Sequence, residues 1–203
     1  MFATARSITL CILLTATIAA CGSSPPVQYY ALSTAGGVGS TAQDGAATLG
    51  LGPLRMPEYL NRTQFVTRTS GTEMQVDEFN RWAEPLSPSM HRIVAANVDR
   101  LRDDLTVIAF PYDAVIRNIV DYRLQGDIVR FDADDSGNVV LEVQWTVSSV
   151  DGEPEPLVWP HRNRYETRAS KAGDPAAVVA AMNDALGLFS QDIANEMASV
   201  LED

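Results

Sequence analysis

The chain has 203 residues, of which 46% are hydrophobic, and a formal net charge of −11. That length suits one domain with its own core, and the acidic balance excludes a surface that attracts nucleic acid or anionic lipid headgroups. The only cysteines are Cys11 and Cys21, which excludes a disulfide-stapled scaffold.

The first residues read as an export signal. Arg6 is the only charge before Cys21, and Ile8–Ala20 is an apolar run broken by Thr9, Thr15 and Thr17. The run is too short to span a bilayer as a helix. It ends in Ile18-Ala19-Ala20-Cys21, followed by Gly22-Ser23-Ser24-Pro25-Pro26. This is the pattern of a bacterial lipobox, in which the chain is cut before the cysteine and the thiol receives lipid. The expected organisation is a signal peptide over 1–20, lipidated Cys21 with a short tether over 21–26, and one domain over 27–203. Removing residues 1–20 takes away one arginine, so the mature charge is −12. Attachment to a membrane then falls to the acyl chains, of which a fully processed lipoprotein cysteine carries several. No other cofactor is expected. Seven residues separate Cys21 from Tyr29, so the tether reaches at most about 25 Å.

Val27–Leu32 reads as a first strand, and Ser33–Ala47, rich in Gly, Ala, Ser and Thr, as a loop. Thr48–Leu54 follows as a strand, and Met56–Leu60 as one helical turn. Gln64–Arg68 and Glu73–Val76 flank Ser70-Gly71-Thr72 as a hairpin. Ser87-Pro88 predicts a helix start, with Ser as cap and Pro at the first position. Met90, Val94, Val98, Leu101 and Leu105 then recur at helical spacing, with Arg92, Arg100, Arg102 and Asp103 on the wet side. Thr106–Phe110 is a short strand. Val139, Leu141, Val143, Trp145 and Val147 alternate with mostly polar residues, a half-buried strand whose indole is in the core. Tyr122–Phe131 is expected to pair with it across the turn Asp132–Asn138, and Arg162–Ala169 is a last strand. Asp174-Pro175 opens a final helix with the stripe Val178, Met182, Leu186, Phe189, Ile193, Met197 and Val200. The predicted fold is α+β: a mixed sheet of about seven strands with two amphipathic helices packed on one face.

The residues offer little chemistry. Asp132-Ala133-Asp134-Asp135-Ser136-Gly137 begins like a calcium loop. The twelfth position is Val143 where Glu is needed, so an acidic hairpin turn is expected instead. His91 and His161 are read as surface histidines, with no nucleophile or metal motif around them. No catalytic residue and no metal ligand is assigned. All the positive charges but Lys171 are arginines, which suits fixed, hydrogen-bonded ion pairs. Arg81-Trp82-Ala83-Glu84-Pro85-Leu86 reads either as a partner-binding edge or as a core plug, in which Trp82 fills the core while Arg81 and Glu84 hold a corner.

Several segments together resemble a known family. They are the lipobox closely followed by Gln28-Tyr29-Tyr30-Ala31-Leu32, then Pro57–Arg62, Phe79–Leu86, Asp121–Leu124 and Asp127–Phe131. The chain is similar along its whole length to the ABC-type transport auxiliary lipoproteins, the PqiC/YmbA-like family. The resemblance implies a non-enzymatic outer-membrane lipoprotein that works with an MCE-domain protein bridging the periplasm, in lipid transport between two membranes. Cys21 would be the lipid attachment site, and Tyr30, Arg81, Trp82 and Glu84 are candidate partner-binding residues. The alternative is a periplasmic carrier that binds lipid in an internal cavity. Homo-oligomer formation is left open.

Overall fold

The computed structural model describes residues 25–34, 36, 46–113, 116, 119–150 and 158–202. The expected signal peptide, Cys21 and most of the expected loop before Ala47 lie outside these residues. Among the described residues, eight strands form one mixed sheet: β1 (Gln28–Tyr30), β2 (Ala47–Arg55), β3 (Gln64–Arg68), β4 (Met74–Trp82), β5 (Leu105–Ala109), β6 (Tyr122–Asp134), β7 (Asn138–Ser149) and β8 (Val158–Arg168). Two helices, α1 (Leu86–Leu101) and α2 (Pro175–Glu202), complete an α+β domain.

Strand β6 organises the sheet. Along one edge it pairs antiparallel with β7, which pairs antiparallel with β8. Its other edge is shared. The first half runs parallel to β2, which carries β5, and the last residues run parallel to β3, which leads to β4 and β1. Helix α1 packs over β2 and β5, and α2 over β6, β7 and β8, and the helices also pack on each other. Neither lies squarely across the β3–β4–β1 wing.

The inward positions of β7 are as expected: Val139, Leu141, Val143, Trp145 and Val147 are all buried, and on the other face Val140 is buried as well. Strand β6 matches it only with one adjustment. Ile128 pairs with Val143 but Arg130 pairs with Glu142, so Val129 is an extra residue. Such a bulge moves the inward parity from Leu124, Gly126 and Ile128 to Phe131 and Ala133. Gly126 stands opposite Trp145; a Cβ there would lie 2.9 Å from the Trp145 Cβ and 2.4 Å from the Gln144 carbonyl oxygen. The close approach of the two strands therefore requires glycine at this point.

Four expectations are corrected. Helix α1 begins at Leu86 with Pro85 in the cap position and no side-chain cap, so Ser87 is inside the first turn rather than before it. Leu101, the last residue of α1, is exposed, and Leu105 opens β5 rather than continuing the helical stripe. Asp132 is buried within β6 rather than placed in the turn, which narrows to Asp135-Ser136-Gly137. His91 is a buried residue and not a surface one.

The place of His91 follows from an irregularity in β2. The pairing of β2 with β6 shifts between Leu51 and Leu54. The Leu54 N–H donates 2.8 Å to His91 Nε2, and His91 Nδ1 lies 2.8 Å from the Ser87 carbonyl. With Nε2 accepting, Nδ1 carries the proton. Gly52, at φ +110°, sits in the same irregularity, where a Cβ would meet the His91 ring at 2.8 Å. Burial pulls the His91 pKa below its ordinary value, against a smaller upward pull from the Ser87 carbonyl. Protonating Nε2 would also break the bond from Leu54. The folded pKa lies below the unfolded one, so this contribution is complete above about pH 6.5 and is lost as the pH falls. Urea midpoints compared at about pH 7 and pH 5 are expected to fall further for the native chain than for His91→Gln. Equal falls would show that His91 is not the group responsible.

Candidate partner-binding cleft

The uncovered wing leaves a cleft of about 210 Å³ on the helix side of the sheet, with an aromatic floor and polar sides that include Gln64, Thr67 and Gln75. Its floor is Phe65 of β3, Trp82 of β4 and Phe131 of β6; Val178 and Met182 of α2 form one wall. The rings of Phe65 and Trp82 are 4.3 Å apart at 35°, and Tyr30 extends the group with its ring 5.1 Å from Phe65. Local pairing explains the cluster. Tyr30 and Trp82 are neighbours in the parallel register of β1 and β4, so their side chains share a face. Main-chain bonds fix this corner: Trp82 N–H donates to the Thr63 carbonyl and Ala83 N–H to the Tyr30 carbonyl.

The rim is acidic. Asp77, Asp134 and Asp135 border the cleft. Asp77 accepts from the Phe79 and Asn80 N–H groups at 2.8 and 3.0 Å and from the Asn80 side chain at 2.7 Å. Burial pushes its pKa up, but these bonds outweigh it and hold the carboxyl below its ordinary value. The same balance holds at Asp134, which accepts from Ser136, from Asn138 and from the Asn138 side chain across the hairpin turn. Both rim carboxylates are thus charged and fixed.

The four residues singled out from the sequence come together at one corner but differ in role. Trp82 is buried in the cleft floor and Tyr30 is half-buried beside it. Arg81, half-buried on the opposite sheet face, donates to the Glu78 carbonyl at 3.3 Å. Glu84 accepts from the Ser89 hydroxyl at 3.0 Å and pairs with Arg92 of α1. Sequence reasoning missed Phe65, Phe131 and the α2 wall. Val178 and Met182 belong to a stripe that sequence alone assigns to sheet packing.

A second, shallow depression of about 340 Å³ lies beside Arg55, Asp127, Gln144 and His161. It is polar and open. Among the described residues no group of three or more His, Cys, Asp or Glu side chains could hold a metal ion, and no helix is long and apolar enough to cross a membrane.

The described residues thus form a helix-backed mixed sheet whose most distinct feature is a cleft with an aromatic floor and charged lips. The chain belongs to the family of ABC-type transport auxiliary lipoprotein components, whose model matches residues 30–194. It is therefore a lipoprotein component that serves a transport system, and that family is not a known enzyme family. Its fold is similar to that of an uncharacterized protein of known crystal structure, with a TM-score of 0.67 and 20% identity over 85% of this chain and 99% of the other. A crystal structure of a protein from Xanthomonas campestris is also similar, with a TM-score of 0.60 and 19% identity over 82% of this chain and 92% of the other. No curated protein matches the sequence.

Proposed function

We propose that the protein is an outer-membrane accessory lipoprotein, anchored through lipid on Cys21, that docks an MCE-domain protein spanning the periplasm in a lipid-transport system. The supporting observation is the pairing of a transport-auxiliary domain with a tether of about 25 Å at full extension. A domain held that close to one membrane serves transport across the gap only if a partner crosses it. The cleft suits a partner segment that inserts apolar side chains and carries basic residues to meet Asp77, Asp134 and Asp135. Its 210 Å³ falls below the roughly 300–1,000 Å³ of sites that enclose a small ligand, which counts against the carrier reading.

Two measurements test this. Cys21→Ala is expected to abolish labelling by a fatty acid in cells, since Cys21 is the acceptor at the signal junction. Labelling that persists would remove the anchor from the proposal. Thr67→Arg, which sends a long cation into the cleft, is expected to leave the urea midpoint unchanged while weakening capture of the MCE partner about tenfold or more, a loss of about 1.4 kcal/mol. Unchanged capture would clear the cleft of this role. Recovery of tightly bound lipid with the purified protein, and of no MCE partner, would favour the carrier.

A further inference from the structure

We infer that Val27, Tyr29 and Phe79 form a membrane-contact patch, which seats the lipid-anchored domain on the bilayer interface with its cleft turned away from the membrane. The inference rests on the proposed lipidation of Cys21 and adds an orientation to it.

Three large apolar side chains are exposed close together here. Val27 is 36% exposed, Tyr29 63% and Phe79 41%. Among the described residues, the remaining exposed large apolar side chains are dispersed: Leu101 on α1, Ile119 just before β6, Val129 on β6, Val158 on β8 and Leu188 on α2. Register explains the grouping. Gln28 pairs with Asn80 and Tyr29 with Arg81, so Val27 and Phe79 come next in line at the same end of the two strands. Strand alternation puts Tyr29 and Arg81 on the sheet face opposite Tyr30 and Trp82. Tyr30 and Trp82 face the cleft side, so Tyr29 lies on the other side of the sheet, with Phe79 beside the register shift that β4 makes between Val76 and Arg81.

Position relative to the anchor selects the occupant. Six residues of chain lead from Cys21 to Val27, a reach of at most about 22 Å. The start of β1 is therefore the part of the described domain that the lipid anchor holds nearest the bilayer. Tyrosine suits the headgroup region, where its ring is covered and its hydroxyl stays wet. The mature charge of −12 disfavours attraction by the whole surface, so contact must come from these apolar groups and be insensitive to salt.

The test uses the full lipidated protein in vesicles of phosphatidylethanolamine with a minor share of phosphatidylglycerol, some carrying a bromine-labelled acyl chain as quencher. Tyr29→Trp and Phe79→Trp each add a tryptophan in the patch, and Leu188→Trp adds one on α2 as a control. The expected result is that brominated lipid quenches most of the fluorescence added at 29 and at 79, little of that added at 188, and equally so at low and high salt. Quenching at 29 and 79 no greater than at 188, in protein whose mass shows the acyl chains and which floats with the vesicles, overturns the patch alone. Protein that lacks acyl chains and does not float overturns the lipidation reading and the patch with it. Shielding of 29 and 79 from aqueous quencher without quenching by lipid assigns the patch to a second copy of the chain and likewise overturns the inference.

Discussion

Asp132→Asn is expected to lower the stability of the domain by about 3 kcal/mol, the low end of the range for breaking a buried ion pair. Asp132 has no exposed side-chain surface, and it gathers three partners. Arg68 donates to both of its oxygens at 3.2 and 2.9 Å, Arg130 to Oδ1 at 2.8 Å, and the Tyr59 hydroxyl to Oδ2 at 2.8 Å. Burial pushes the Tyr59 pKa up to about 12, helped by its bond to the Asp132 carboxylate. Asparagine keeps the shape but removes the charge that both guanidiniums face. The arginine side chains are 21% and 22% exposed, so they recover some hydration, which places the cost at the low end. The Arg55–Asp127 pair gives the contrast. Its bonds are short, at 2.6 and 2.7 Å, but its side chains are 69% and 52% exposed. Asp127→Asn is therefore expected to cost about 0–1 kcal/mol. Urea denaturation of the two variants tests the ranking, and a larger loss for Asp127→Asn would refute it.

This cluster also marks how far the sequence could be read. Arginine in place of lysine pointed to fixed ion pairs, and Arg68 and Arg130 form one. The partner was misplaced, because Asp132 stands in a run with Asp134 and Asp135 that looks like one acidic turn. Strand β7 was legible because each inward position is apolar and the period never slips. Its partner β6 was legible as a strand but not in its facing, since the extra residue Val129 reverses the parity and leaves no local signature. The same holds for His91. A lone histidine at helical spacing looks like a wet position until the irregularity in β2 presents a free N–H to it. The cleft was the least readable feature. It exists because α1 and α2 cover opposite portions of the sheet, and that division depends on β6 sharing one edge between β2 and β3. Trp82 was visible as a candidate, whereas Phe65, Val178 and Met182 join it only through the folded arrangement.

Trp145→Ala is expected to cost about 3–5 kcal/mol, the range for truncating a large core aromatic. The indole is 2% exposed. The His161 ring stacks on it at 4.1 Å, Phe189 of α2 meets it edge-on at 5.8 Å, and Gly126 across the strand gives it room. Its Nε1–H donates to Asn163 at 2.9 Å; Asn163 in turn donates to Asp192 of α2, which also accepts from the Tyr165 hydroxyl. Burial, and then the bond to Asp192, raises the Tyr165 pKa above its ordinary value, so the hydroxyl keeps its proton. One side chain thus joins three strands to the last helix, and truncation removes packing on every side at once. Trp145→Phe keeps much of the packing but leaves the Asn163 oxygen without its donor, a penalty of about 1–3 kcal/mol. The alanine variant should therefore be the less stable of the two, and a urea midpoint for it indistinguishable from the native chain would show that the inner face of β7 is misassigned. A second consequence separates stability from docking. The first turns of α2 form the wall of the cleft through Val178 and Met182, and Trp145 helps hold α2 to the sheet. Partner capture is expected to fall in Trp145→Ala under conditions where the chain is still folded, and to survive in Trp145→Phe, because only the first lets the wall move away from Phe65 and Trp82.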